Sequence, residues 1–211
     1  MPRMGIGFLS YDVIWQKAEE FLSKYNAERK IPVPIEEIIE FAFHINIIPV
    51  PNLASVIEVE GFTSSNLKDI YVDEGVYSRV PTRYRFTLAH EMGHIILHRR
   101  FFERVKINSI VSWMDFYDKL ENFERNALEL QAYDFAGLVL VPRANLKNHV
   151  QDILSRPIPS IRAAKNLKIL RSKYLPYVIE ELATRLAPIY DGSLQTMTKR
   201  LNFDKLSRLI P

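Results

Sequence analysis

Arg85-Phe86-Thr87-Leu88-Ala89-His90-Glu91-Met92-Gly93-His94-Ile95-Ile96-Leu97-His98 is the stretch on which the reading of this 211-residue chain turns. If it is helical, His90 and His94 stand one turn apart on one face, because side chains four apart return to the same side of an α-helix. At about 100° per residue the two imidazoles lie about 40° apart around the axis, so both can reach one metal ion from a single rigid rod. Glu91 is turned too far round to complete that shell, but it is placed to take a proton from a water made acidic by the metal. Two His and one Glu at H-E-x-x-H spacing are thus a hydrolytic metal site short of one ligand.

The plainer reading is an amphipathic helix anchored by Phe86, Ala89, Ile96 and Leu97, with its His and Glu solvated. Three of the chain's five His, however, fall at 90, 94 and 98 along one helical stripe. His98, two turns beyond His90, is too far away to join the same ion and reads as a helix-terminal residue or as one that orients a ligand. A metzincin would carry a third His ten residues after His90, but position 100 is Arg100. The missing ligand is then expected from a second helix, as in sites of two His and one Glu. Glu103, Glu121, Glu124 and Glu129 are the candidates.

A second segment makes the pattern specific: Glu129-Leu130-Gln131-Ala132-Tyr133-Asp134-Phe135-Ala136-Gly137-Leu138-Val139-Leu140-Val141-Pro142. It resembles E-x-x-A-N-x-F-A followed by a short apolar run ending in Pro, a signature of the ImmA/IrrE family of zinc metallopeptidases. The first stretch is similar to that family's R-F-T-L-A-H-E-x-G-H-x-x-L-H. The resemblance implies one zinc per chain held by His90, His94 and Glu129, with Glu91 as general base. Two positions depart from the pattern. Tyr133 stands where the family usually has Asn or Asp, a residue that orients a ligand His in related peptidases; its hydroxyl can still hydrogen-bond, while Asp134 is turned about 100° away. Gln131 replaces a Glu common at that place and so removes a competing ligand.

The chain has no Cys, which excludes a disulfide scaffold and a thiolate zinc site and suits a reducing cytoplasm. Met1 to Leu9 is too short for a signal h-region, and no apolar run approaches a membrane span, so an unexported cytoplasmic protein is expected. Charge is uneven. From Arg143 to Pro211 thirteen Lys and Arg face five Asp and Glu, a net of +8, which leaves −5 for residues 1–142 of a chain whose total is +3. Such a basic region suits an acidic partner or nucleic acid, although a solvated face is the commoner case.

In chain order, Ser10 is a plausible N-cap, and Val13, Ile14, Ala18, Phe21, Leu22 and Tyr25 recur at helical spacing to about Asn26. Ile31-Pro32-Val33-Pro34 reads as an extended entry to a helix from Ile35 to about His44, itself a structural His. Ile45–Val50, Val56–Phe62 and Asp69–Val72 read as strands, the last two joined by Thr63-Ser64-Ser65-Asn66. The strand near Glu58–Phe62 is a candidate edge for pairing with an extended substrate, an idea that a complex seating the peptide elsewhere would exclude. Asp73–Arg83 reads as a loop and Arg99–Asp118 as an aromatic-rich core loop. The helix bearing Glu129 is expected from near Asp118–Asn122 to Pro142, with Leu120, Phe123, Ala127, Leu130, Phe135, Leu138 and Val139 as its apolar positions. A polar stretch follows, with a boundary at Pro157 and Pro159, then a helix over Ile161–Leu175. Glu180–Ala187 and Leu194–Leu201 resemble the paired helices that close proteins of this family. They are expected to pack on a core rather than to enter DNA as a helix-turn-helix, since the second offers only Lys199 and Arg200 as basic contacts.

The expected architecture is α+β: residues 1–142 form a zincin-like metallopeptidase core with a small sheet and active-site helices, and residues 143–211 a basic helical C-terminal extension. The resemblance implies a selective zinc endopeptidase, soluble and away from membranes, that cuts a cognate helix-turn-helix repressor, often in a mobile element or stress-response locus. Two rivals share the site. One is a non-proteolytic regulator with a structural zinc whose basic region binds DNA or a partner, and the other is the toxin-like component of a toxin–antitoxin pair.

Overall fold

The computed structural model describes residues 7–211; the first six residues, which belong to the stretch read above for an export signal, lie outside it. No helix among the described residues is long and apolar enough to cross a membrane. The fold is α+β, and its contacts divide it into two compact units, Met1–Leu140 and Val141–Pro211.

The first unit begins with α1, Tyr11–Tyr25, whose first turn is capped by Ser10 and which buries Ile14, Ala18, Phe21 and Leu22. After Asn26 comes α2, Ile35–Glu37, which continues into a π-helical turn over Ile38–Ala42. Next come β1, Asn46–Val50; α3, Leu53–Ile57; β2, Gly61–Thr63; and β3, Asp69–Asp73. The sheet order is β1-β3-β2, with β1 parallel and β2 antiparallel to β3, so β2 is an edge. Helices α4, Glu74–Arg79, and α5, Pro81–Leu97, follow at once; Pro81 opens α5 where its missing N–H costs nothing. Then come α6, Arg99–Phe102; α7, Ile110–Lys119; and α8, Asn122–Leu140.

Three segments of this unit differ from the expectation, each for a non-local reason. Residues 53–57 are helix rather than the first part of a strand from Val56, although Val56 and Ile57 are β-branched. Asp73 lies behind this. Its Oδ2 accepts from Ala54 N–H at 3.0 Å, while its Oδ1 accepts from Gly75 and Val76 at 2.9 and 3.1 Å. One buried carboxylate thus caps α3 and α4 together, which also turns the expected 73–83 loop into helix. These backbone N–H groups, foremost that of Ala54, hold the Asp73 carboxyl below its usual 3.8. Its contribution is therefore fully present above that value and lost as pH falls through the lower folded-state value. Asp73→Ala is expected to destabilise by about 2 kcal/mol at pH 7, one cap of about 1 kcal/mol for each helix. Denaturant titrations should show that penalty shrinking below pH 3.8; a penalty independent of pH would locate the effect elsewhere.

The expected core loop over Arg99–Asp118 is largely helical. The Ser109–Ser112 capping box starts α7, and Phe101, Phe102, Trp113 and Phe116 are buried with Leu53, Ile57, Phe62 and Leu128. Apolar burial, with no clear helical period in the sequence, holds this segment in place. α5 packs most extensively on α8, which α1 also covers. Phe123 and Leu130, expected as apolar anchors of α8, are 50% and 63% exposed. At the α5–α8 crossing a Cβ on Gly93 would lie 2.9 Å from Ala132 Cα, so glycine permits the approach of the two site-bearing helices.

The second unit comprises α9, Arg143–Leu154; α10, Pro159–Asn166; α11, Arg171–Tyr190; α12, Leu194–Phe203; and a 3-10 turn, Leu206–Leu209. The polar stretch after Pro142 is helix α9, which buries only Leu146 and Val150 and so shows little periodicity. The helix expected over Ile161–Leu175 is broken near Lys168, whose φ of 55° is left-handed. α11 and α12 pack as a pair around Val178, Leu182, Leu186, Met197 and Leu201. Arg200, one of the two basic residues expected on that second helix, is buried; it pairs with Asp204 at 2.7 Å and donates to Val141 O at 3.2 Å.

Candidate active site

Helix α5 carries His90, Glu91 and His94 one turn apart, and their ligand-capable atoms all lie within 4.8 Å of one another. His90 Nε2 is 3.1 Å from His94 Nε2 and 3.1 Å from Glu129 Oε2, which α8 brings across from 39 positions away. The site is buried at His94 and more open at Glu129, whose side chain is 42% exposed. Of the four carboxylates the sequence left open as third ligand, Glu129 is the one seen against the histidines. Glu103 is engaged with Arg99, Glu121 is exposed and Glu124 is buried with one oxygen unbonded.

This donor set fits a zinc ion. Ligand atoms about 2.0–2.1 Å from a tetrahedral zinc stand about 3.3 Å apart, close to the two 3.1 Å separations from His90 Nε2, one to His94 Nε2 and one to Glu129 Oε2, and two imidazoles and a carboxylate are a shell that leaves one position for water or substrate.

Glu91 stands beside the two histidines. It is buried, and its Oε2 accepts from Thr63 Oγ1 at 2.7 Å. Burial pushes its carboxyl up to about 7, against the opposing effects of the neighbouring His90 charge and the Thr63 bond. A carboxyl near neutrality suits proton transfer in both directions at physiological pH. The contact depends on Gly61: a Cβ there would lie 2.8 Å from Thr87 Cγ2 and 2.9 Å from Tyr71 O, so β2 could not lie so close to α5.

Behind His94 lies a second row of contacts. His94 Nδ1 is 3.2 Å from His98 Nδ1, and His98 Nε2 is 3.1 Å from Gln131 Oε1. Burial, with its histidine neighbours, holds His94 well below the usual imidazole value; burial also lowers His98, partly offset by its bond to Gln131. His98 is both the C-cap residue of α5 and the partner of His94. Tyr133 sets its ring against Phe86 with centroids 4.8 Å apart, on the turn preceding His90.

Thr63 and Gln131 are the site residues that sequence reasoning passed over, the first as part of a turn and the second as a ligand lost. No local pattern connects Thr63 to a glutamate 28 positions on. For Gln131 the signal was present: two turns separate His90 from His98, and an amide on the facing helix is what a buried imidazole there requires.

Residues 68–155 match the family described as IrrE N-terminal-like domain, Peptidase_M78. No curated protein matches the sequence. Among solved structures, a Mycobacterium tuberculosis transcriptional regulator is similar at 16% identity and a TM-score of 0.48, over 89% of this chain and 46% of that one. The chain therefore spans less than half the length of that regulator.

Proposed function

We propose that this chain, whose residues 68–155 match the IrrE N-terminal-like domain, Peptidase_M78, is a zinc-dependent endopeptidase that cuts one specific protein, a helix-turn-helix transcriptional repressor. The observation that carries the reading is that His90 Nε2 lies 3.1 Å from His94 Nε2 and 3.1 Å from Glu129 Oε2, with the buried, hydrogen-bonded Glu91 beside the histidines. His90, His94 and Glu129 would hold the ion. Zinc, when bound, supplies Lewis acidity that polarises a peptide carbonyl and lowers the pKa of water to near 7. Glu91 takes a proton from the attacking water and returns it to the amine as the C–N bond breaks. Thr63 keeps one carboxylate oxygen occupied, so the other is the one available to the proton. Edge strand β2 offers an extended substrate main-chain pairing beside that carboxylate.

The repressor is an inference from the family, and the basic second unit, with its net +8 from Arg143 on, favours an acidic or nucleic-acid-bound target. The test is to incubate the zinc-loaded protein with helix-turn-helix regulators from its own genome and to read products by mass spectrometry. One discrete cut, abolished by a chelator and restored by zinc, is expected. A regulator bound but left intact would instead support the non-proteolytic reading. In that rival, DNA contact through α12 has little to draw on, since Arg200 is buried in its pair with Asp204.

A further inference from the structure

We propose that Gln131 and His98 form a positioning pair that fixes the tautomer of His94, so that its Nε2 lone pair, rather than an N–H, points to the metal. The inference rests on the zinc-site reading above for the identity of the ligands, and on four consecutive contacts for the direction of the hydrogen bonds.

The chain of contacts starts at an unambiguous acceptor. Gln131 Nε2 donates to Gly7 O at 3.1 Å, and since a carbonyl cannot donate, the amide is turned with Oε1 toward His98. Oε1 can only accept, so the proton of the 3.1 Å contact sits on His98 Nε2. A neutral imidazole carries one N–H. His98 Nδ1 is then a bare lone pair, and the atom 3.2 Å away, His94 Nδ1, must donate to it. With its proton on Nδ1, His94 presents a bare Nε2 to the point where His90 Nε2 lies 3.1 Å away. Reversing any one of these bonds leaves two lone pairs or two protons facing each other in a buried site, which costs at least one hydrogen bond without water to replace it.

The pair has something to correct. Neutral imidazole in water prefers its proton on Nε2, the atom that must be bare in His94, so without a partner at Nδ1 the ring would spend much of its time in the wrong form. His94, His98 and Gln131 are 5%, 6% and 2% exposed, which leaves little room for water to do the same work. The His94 ring is further held against Phe102, with centroids 5.7 Å apart. The usual arrangement behind a metal-bound His is a carboxylate or backbone carbonyl. Here a second imidazole is interposed, so the amide acts at one remove. The Glu→Gln departure at position 131 thus gives an acceptor of fixed polarity whose other end is tied to the backbone at residue 7.

Two measurements decide it. In the metal-free wild type, the nitrogen-15 shifts of the His94 and His98 rings are expected to show protons on His94 Nδ1 and His98 Nε2; a proton on His94 Nε2 would overturn the proposal, and this reading requires neither zinc nor activity. In parallel, zinc affinity is measured by chelator competition on wild type, Gln131→Leu, Gln131→Glu and His98→Phe, with folding checked by circular dichroism. Gln131→Leu and His98→Phe are expected to bind zinc about 10–100-fold more weakly, the usual cost of removing a group that orients a ligand. Gln131→Glu keeps an acceptor for His98 Nε2 but turns an oxygen toward Gly7 O, so it should bind zinc more tightly than Gln131→Leu and less tightly than wild type. Wild-type affinity in a folded Gln131→Leu would overturn the proposal. If the wild type itself bound no zinc, the zinc-site reading would fail, and the tautomer measurement would still stand as the test of the pair.

Discussion

Glu91→Gln is expected to abolish peptide hydrolysis while leaving zinc bound: a loss in kcat of about 10³-fold or more, equivalent to about 4 kcal/mol of transition-state stabilisation. The substitution conserves shape in a buried position, 3% exposed, where a change in volume would confuse the result. The amide oxygen can still accept from Thr63 Oγ1, so the contact to β2 survives. What disappears is the oxygen that takes a proton. Since Glu91 is not among the three proposed ligands, zinc per chain should remain that of wild type, and KM should move little, because the carboxylate acts on the transition state rather than on binding. Initial rates on the cleaved sequence, alongside metal content, make the comparison. A variant that retains zinc and cleaves at near wild-type rate would remove Glu91 from the chemistry.

The parts of this site that the sequence discloses are those with a local period. His90, Glu91 and His94 are readable because a helix repeats its face every three to four residues, and α5 and α8 are long enough to show it. α1 was legible for the same reason, with Ser10 as its start signal. The misread segments share a different property: their conformation is decided by a partner distant in sequence. Residues 53–57 are helical because Asp73 caps them, and the caps of α3 lie at left-handed Asn52 and Glu58, neither of which advertises a helix. α6 and α7 are organised by an aromatic cluster and α9 by two buried residues, so neither gives a clean apolar stripe. Thr63 belongs to the same group. Its hydroxyl matters only because Gly61 allows β2 to lie against α5, a contact that no short pattern encodes. Gln131 shows the converse case, in which the residue was visible but its role depended on a proton's position two side chains away.

Glu129→Ala is expected to weaken zinc binding by on the order of 10³-fold or more, well beyond the 10–100-fold that follows loss of an orienting group. The two histidines come from one rigid helix and cannot close around the ion alone; the third donor has to come from α8, and Glu129 Oε2 is the acidic atom hydrogen-bonded to His90, at 3.1 Å. Its partial exposure, 42% of the side chain, means that truncation leaves no buried cavity, so the folded protein should persist and the effect should be confined to the metal. Zinc per chain in protein purified without added metal, and affinity by chelator competition, provide the measurement, with about one zinc expected in wild type. The opposite outcome is informative because Glu91 lies in the same cluster as the two histidines. Stoichiometric zinc in Glu129→Ala would mean that Glu91 completes the shell, and a carboxylate held on the ion is not free to carry a proton from water to the leaving amine. The division of labour between the two glutamates, one a ligand from α8 and one a base from α5, therefore stands or falls on this single variant, and with it the assignment of hydrolysis to the site.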